Sequence, residues 1–387
     1  MIRNLKRLVS DERGAVLLLV AGSMMALLSV VALAVDFGML TVARTEAQRV
    51  ADLSALAGAG GLLQSPGNEP LARALAVDYA LRNDIRHNEA IVQPTDVEVD
   101  LVNDRVTVTV YRTIERGNPV NTFFARVFGV NGVSIAARAT AEASPAGGVN
   151  CLLPLALPDR WFEAGGPGND PDDYNADHGD YYVPWDPAAP SAPYTGYSEA
   201  DVGVRIMIKA NTGPGSMNPS WYFPWAPPDP DSTDPAGVRG AELYSLRISG
   251  CIATDKGYVF GPGSVVDTEP GSMTGPTKAG FQRLIAKDPN AAWNTGMNCV
   301  TDALYQLSND PTYCRGSARV RAMPMFNPTE EPDPGRKPFT FTNFVGVFVE
   351  EIEGNKIYAR FTGYTGVTFG GTGSPSAALF KKLQLID

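Results

Sequence analysis

The sequence predicts an α+β protein. A single N-terminal transmembrane helix extends into a small α+β domain, and a β-rich extracytoplasmic domain follows. Three observations predict this. Residues 14–35 form an uncharged apolar run, the helical pattern continues past its end, and alternating apolar segments recur between proline- and glycine-rich loops beyond residue 145.

The apolar run of about 22 residues would span roughly 33 Å as helix, enough to cross a bilayer core. Arg3, Lys6, Arg7 and Arg13 precede it, outnumbering Asp11 and Glu12, and Asp36 opens the far flank. Basic residues stay on the cytoplasmic side, so this flank predicts the N-terminus inside and the bulk outside. A cleaved signal peptide is the competing reading, because Ala32-Leu33-Ala34 forms an A-x-A site before Val35. Against cleavage, the run is longer than the roughly 7–15 residues of a signal core, and no helix breaker follows it.

Beyond Asp36, Ala43, Ala47, Ala51, Ala55 and Ala59 repeat at i, i+4 spacing and place a small-residue stripe on one face of the continuing helix. Alanine is the best helix former, which explains the stripe without function. Small residues also let another helix approach closely, as the Gly22 and Ala26 spacing could within a bilayer. Both readings stay open.

Next, "PLARALAVDYALRND" predicts a second helix with Leu71, Leu75, Val77 and Leu81 near one face. "VEVDLVNDRVTVTVY" alternates around Asn103-Asp104 as a hairpin does, "NTFFARVFGV" reads as a short helix, and "VSIAARATAEA" as a returning strand. The division that results is 1–36 (tail and anchor), 37–145 (helix plus small antiparallel sheet) and 146–387 (β-rich outer domain), with "SPAGG" at the second boundary. In the outer part, "GVRIMIKA", "LYSLRISGC", "NFVGVFVEEI" and "KIYARFTGYTGV" read as strands, the last two flanking a turn at Glu353-Gly354-Asn355. "PTKAGFQRLIAKD" reads as a helix.

Net charge is −10 with no basic cluster after the first helix, which argues against nucleic acid as a partner. His87 and His178 stand alone, and no G-x-S-x-G, P-loop or H-E-x-x-H string occurs, so neither enzyme activity nor a cofactor is expected. Asp173, Asn175 and Asp177 have the 1, 3, 5 spacing of a calcium loop, but glycine arrives one position late at Gly179 and no Glu closes position 12. An acidic solvated loop with Asx-turns is the favoured reading. Aromatic clusters at 181–186 and 220–228 are either core anchors or a surface for glycan or protein.

The four cysteines, Cys151, Cys251, Cys299 and Cys314, all follow the apolar run, as disulfides of an exported chain would. Four cysteines allow three connectivities. Cys299 and Cys314 bracket a turn at Asn309-Asp310-Pro311, while Cys151 follows the domain boundary and Cys251 ends an apparent strand, so that this pair would tie the start of the outer domain to its sheet. The expected pairs are Cys151–Cys251 and Cys299–Cys314, with four buried thiols as the alternative.

Arg13-Gly14, the apolar span, Val35-Asp36-Phe37-Gly38, Gln48, Ala51-Asp52 and Ala55-Leu56-Ala57-Gly58 together resemble the N-terminal domain of the Tad (tight adherence) family, the TadE/TadG-like proteins of Flp pilus assembly. Residues 150–161 and 268–293 are similar to segments of the outer domains of longer Tad-like proteins. The resemblance implies a single-pass inner-membrane protein, anchored in the lipid bilayer by 14–35, with its bulk in the periplasm. Its implied partners are other pilus-assembly or secretion-system subunits. An adhesin-like or glycan-binding module on a Tad-type anchor is the alternative. Two departures are visible. Leu19 stands where pseudopilin-like members carry the Glu of their processing motif. Asp52-Leu53-Ser54-Ala55-Leu56 lacks the second serine of the metal loop found in larger TadG-like members. The helix-plus-sheet shape of 37–145 is pilin-like only in outline.

Overall fold

The structure is a computed structural model that describes residues 12–165, 173–184, 193–210, 217–232, 234, 237–271, 273–303, 314, 316–333, 335–366 and 380–386. The basic tail at Arg3, Lys6 and Arg7, the end of the 181–186 cluster and the turn at Asn309-Asp310-Pro311 lie outside the described residues.

Helix α1, Glu12–Gln64, runs unbroken for 53 residues, about 80 Å. Its two halves meet different surroundings. From Val16 to Val35 the large apolar side chains are exposed, whereas Ala43, Ala47, Ala51, Ala55 and Ala59 are at most 1% exposed. Helix α2, Glu69–Leu81, packs back on α1 with Asn68 as its N-cap and a proline in its first turn. Its buried face is Leu71, Ala72, Leu75, Ala76 and Ala80, while Leu81 points out. The buried face thus runs to the end of the helix along Ala72, Ala76 and Ala80, which turns Leu81 outward.

A short hairpin follows, β1 (Asp84–Ile85) with β2 (Asn88–Glu89). Then β3 (Val97–Asp100) and β4 (Arg105–Arg112) pair antiparallel. A small hairpin, β5 (Val120–Asn121) with β6 (Gly132–Val133), encloses a 3-10 turn at Ala125–Phe128. Strand β7, Ile135–Pro145, returns alongside β4. One face of this sheet, Val106, Val108 and Val110 with Ala137, Ala139 and Ala141, forms a common core with the α1 alanines. Small residues on both sides bring the helix backbone close to the sheet. At Gly58 a Cβ would lie only 2.7 Å from Val106 Cγ1.

The outer part begins with β8 (Leu155–Pro158), β9 (Arg205–Ala210) and β10 (Trp221–Pro224). Helices α3 (Gly240–Ser249) and α4 (Ala253–Gly257), strand β11 (Val265–Asp267) and helix α5 (Thr274–Ala286) follow. After β12 (Ala292–Asn294) and β13 (Cys299–Thr301) come β14 (Val320–Phe326), the long β15 (Pro338–Glu353) and β16 (Lys356–Thr362). The sheet order is β11-β15-β14-β8-β10-β9-β16, and β16 also pairs with β15, so six of these strands close into a ring. Closure gives β15 a strand on both edges from Gly346 to Phe348. Leu155, Leu157, Met323, Met325, Val345 and Val347 share one core with Tyr244 and Ile248 of α3 and Phe281 and Leu284 of α5. A second, aromatic core gathers Trp225, Phe326, Phe341, Phe344 and Phe380.

A sequence expectation is corrected. "LYSLRISGC" is helix α3, not a strand. Tyr244 and Ile248 sit one helical turn apart and pack on α5, where Gly280 leaves room; a Cβ there would lie 2.7 Å from Ile248 Cβ. A short apolar run does not distinguish strand from buried helix until its neighbours are present. The chain also returns to the first sheet beyond residue 145, which leaves the division at that residue untouched as an expectation. The chain's last strands, β17 (Tyr364–Thr365) and β18 (Phe380–Leu385), join the first sheet, in the order β17-β18-β7-β4-β3. Strand β18 covers the open edge of β7 from Ala141 to Pro145.

The alanine seat makes a direct prediction. Ala55→Leu should destabilise the full chain by about 1–3 kcal/mol through overpacking, whereas Thr45→Leu, on the exposed face of α1, should stay within about 0.5 kcal/mol. Denaturant unfolding in mild detergent measures both.

Candidate functional site

The most distinctive feature is where α1 leaves its sheet. Asp36, the first charge after the apolar run, is 5% exposed. Its carboxylate accepts N–H groups from Phe123 (2.7 Å), Phe124 (3.1 Å) and Ala125 (2.6 Å), closing the first turn of the 3-10 segment. Burial pushes this carboxyl up, but the backbone donors and the nearby Arg126 pull it further down, leaving it below the usual carboxylate range. Asp36 therefore stays charged, and it ties the end of the apolar segment to the hairpin of β5 and β6.

Other residues of the same pattern also have physical partners. Gln48 donates to Asp52 (2.8 Å) and to the Arg138 carbonyl of β7 (3.1 Å). Gly61 lets α2 approach, since a Cβ there would lie 3.1 Å from Ala72 Cα. Around Gly22 and Gly38 the space is open.

Residues 14–61 match a protein-family model. Its description is "Tad: Putative Flp pilus-assembly TadE/G-like". The match covers α1 from the start of the apolar run to the end of the alanine stripe, so the matched pattern lies within one continuous helix. Comparison with curated proteins and with solved structures finds no match.

Two cysteine pairs are bonded, Cys151 with Cys251 at a Cα separation of 5.4 Å and Cys299 with Cys314 at 5.7 Å. The first joins the start of the outer part to the end of α3. There Arg321 donates to the Ile248 and Arg247 carbonyls and to the Cys151 carbonyl, a cation on a helix C-terminus. The second packs against Leu71 and Leu75 of α2, fastening the outer part to the first unit.

The calcium-like triad does not converge. Asp173 accepts from Asn218 Nδ2 (3.1 Å), Asn175 Oδ1 accepts from its own loop at Asp177 N (3.1 Å), and Asp177 is exposed. Among the described residues no three His, Cys, Asp or Glu side chains group as a metal site requires. His87 and His178 are exposed. In the 220–228 cluster, Tyr222 and Trp225 are buried, and Trp225 donates to the Leu153 carbonyl (2.8 Å) as a core anchor. Tyr181 is different: 48% exposed, it stacks on the exposed Phe162 at 4.7 Å. A nearby cleft of about 470 Å³ is lined by Arg160, Trp161, Glu163, Thr195 and Tyr197.

Beneath that cleft lies a carboxylate that no sequence pattern singles out. Asp159 is 2% exposed and accepts from Tyr182 Oη (3.0 Å), Arg160 N (2.9 Å) and Tyr197 N (3.3 Å). Burial pushes it up to about 6 despite these donors and Asn343. Gly196, at φ 118°, covers it; a Cβ there would lie 3.3 Å from both carboxylate oxygens. The glycine separates Asp159 from the cleft, so its chemistry is that of an internal tie.

The raised Asp159 gives a pH signature. Below about 4 the carboxyl is protonated whether folded or not. Between its ordinary 3.8 and about 6 the folded state holds a proton that the unfolded chain has released, so stability falls as pH rises through that window. The cost above pH 6 is of the order of 3 kcal/mol. Asp159→Asn should remove this contribution. Unfolding free energies of variant and parent, compared at pH 4 and pH 7, should shift relative to each other in the variant's favour at the higher pH; parallel profiles would refute the assignment.

Proposed function

We propose that this chain is a membrane-anchored structural or assembly component of a Tad/Flp-type pilus or secretion system, acting through protein–protein contacts and carrying no catalytic site. The Tad match over residues 14–61 carries this reading, and the exposed large apolar side chains of the uncharged run 14–35 support it. In this reading 14–35 spans the inner membrane once. The basic tail stays in the cytoplasm, and the two units beyond Asp36 stand in the periplasm. The disulfides are then formed in an oxidising compartment. The three-part division of the chain becomes a proposal about working parts: anchor, seat and presented outer domain.

Leu27→Arg tests the anchor. A charge in mid-helix costs about 2.5–3.5 kcal/mol on insertion scales, so membrane fractionation should be impaired. A mature N-terminus at Val35 with soluble release would sink the anchor. Affinity capture of the tagged chain from cross-linked cells tests the assembly reading, which expects other pilus-assembly subunits to be recovered and fails if they are not.

Peptide mapping without reductant should recover Cys151–Cys251 and Cys299–Cys314. Swapped pairs would refute the pairing, and four alkylatable thiols would refute the oxidising compartment as well.

A second reading has a specific observation behind it. The exposed Phe162–Tyr181 stack beside a cleft carrying Arg160 and Glu163 is the kind of surface on which a sugar ring stacks. Glycan-array binding lost in Tyr181→Ala would favour an adhesin-like role for the outer domain.

A further inference from the structure

The hairpin held by Asp36 is built against the usual rule for surface loops. It is internally bonded: Thr122 N donates to the Asn131 carbonyl (3.3 Å), Val130 N to the Ala125 carbonyl (3.2 Å), and Gly129 closes the turn at φ 83°. Val120 and Thr122 point inward and are buried. Yet Phe123 (56%), Phe124 (37%), Val127 (79%) and Phe128 (82%) are exposed together on this small, ordered element. Contiguous apolar exposure of this kind marks a contact surface. Between Arg116 and Arg138 the only charged residue is Arg126. Its guanidinium lies over the Phe123 ring at 5.3 Å.

The position of the patch identifies what it touches. A helical side chain leans toward its helix N-terminus, so the Asp36 carboxylate reaches back toward the last turn of the apolar segment. The backbone at 123–125, bonded to that carboxylate, lies alongside this turn, where Leu33 (71%) and Phe37 (68%) are also exposed. The patch is therefore continuous with the apolar surface of α1. The opposite end of the same sheet, the β3–β4 turn, lies about 25 Å away along β4.

We propose that residues 123–130 are a second membrane-contact element, which inserts Phe123, Phe124, Val127 and Phe128 into the outer headgroup–acyl boundary and turns Arg126 toward lipid phosphates. This rests on the reading of 14–35 as a span. Aromatic rings and a snorkelling cation suit that boundary. With Asp36 as the fixed joint, two contacts rather than one would set the tilt of the first unit on the membrane.

The test uses the full chain, disulfides intact, in phosphatidylcholine–phosphatidylglycerol vesicles. An environment-sensitive dye is attached singly through Leu27→Cys, Val127→Cys, Phe128→Cys or Val102→Cys; Val102, 90% exposed in the β3–β4 turn, is the water reference. Lipids carrying a quencher near the headgroup should quench the labels at 127 and 128 several-fold more than the label at 102. Deep quenchers should act on the label at 27. Quenching at 27 with labels at 127 and 128 matching 102 overturns the proposal and leaves the span intact. An unquenched label at 27 overturns the span and the proposal with it. Disulfide or bifunctional cross-linking between copies through Val127→Cys or Phe128→Cys in the vesicles, in place of headgroup quenching, would mean that a second copy covers the patch, and this too overturns it.

Discussion

The close approach of α1 to its own sheet is the contact on which the rest depends. A stripe of alanines meets a sheet face that is itself half alanine, from Ala137 to Ala141. Each residue buries little apolar area, so the seat relies on length and closeness rather than on large side chains. The helix interior also contains glycines, which weaken an isolated helix, and Gly58 and Gly61 are placed where the sheet and α2 press closest. Packing thus offsets a local weakness. The result is one rigid rod, seated over its second half and free over its first.

That rod is coupled to the outer part at several points. Strand β18 completes the first sheet from the chain's far end, and its Lys381 is 4% exposed between Asp104 of the β3–β4 turn (2.7 Å) and Glu199 of the outer part. The joint is costly to break from the lysine's side, because its buried ammonium would be left unpaired. Gly363 lies against the Leu63 carbonyl near the end of α1, with no room for a side chain. Ser65 donates to the Met297 carbonyl (3.0 Å), beside the Cys299–Cys314 pair.

Polar groups do local work throughout. Asp36 closes a loop, Asp159 ties two segments to β8, and Arg321 ends α3. Each is buried and fully engaged, which is how a protein with long Pro/Gly loops gives those loops single conformations. Asp159 is covered by Gly196.

Much of the first unit was legible in the sequence because its signals are local. Hydropathy marked the apolar run, the i, i+4 alanines marked a continuing helix, and alternation around Asn103-Asp104 marked β3 and β4. The Tad-type pattern could be read for the same reason: its residues lie within one helix. That the long helix would cover the small sheet was legible too; which side chains its alanine face meets was not, and the structure places Val106, Val108 and Val110 with Ala137, Ala139 and Ala141 there. Tertiary contacts alone decided that 243–248 is helix, that the final strand crosses back to β7, and that Asp159 is buried. Each depends on residues far apart in the chain, and a periodicity describes only which face is apolar, not what arrives to cover it.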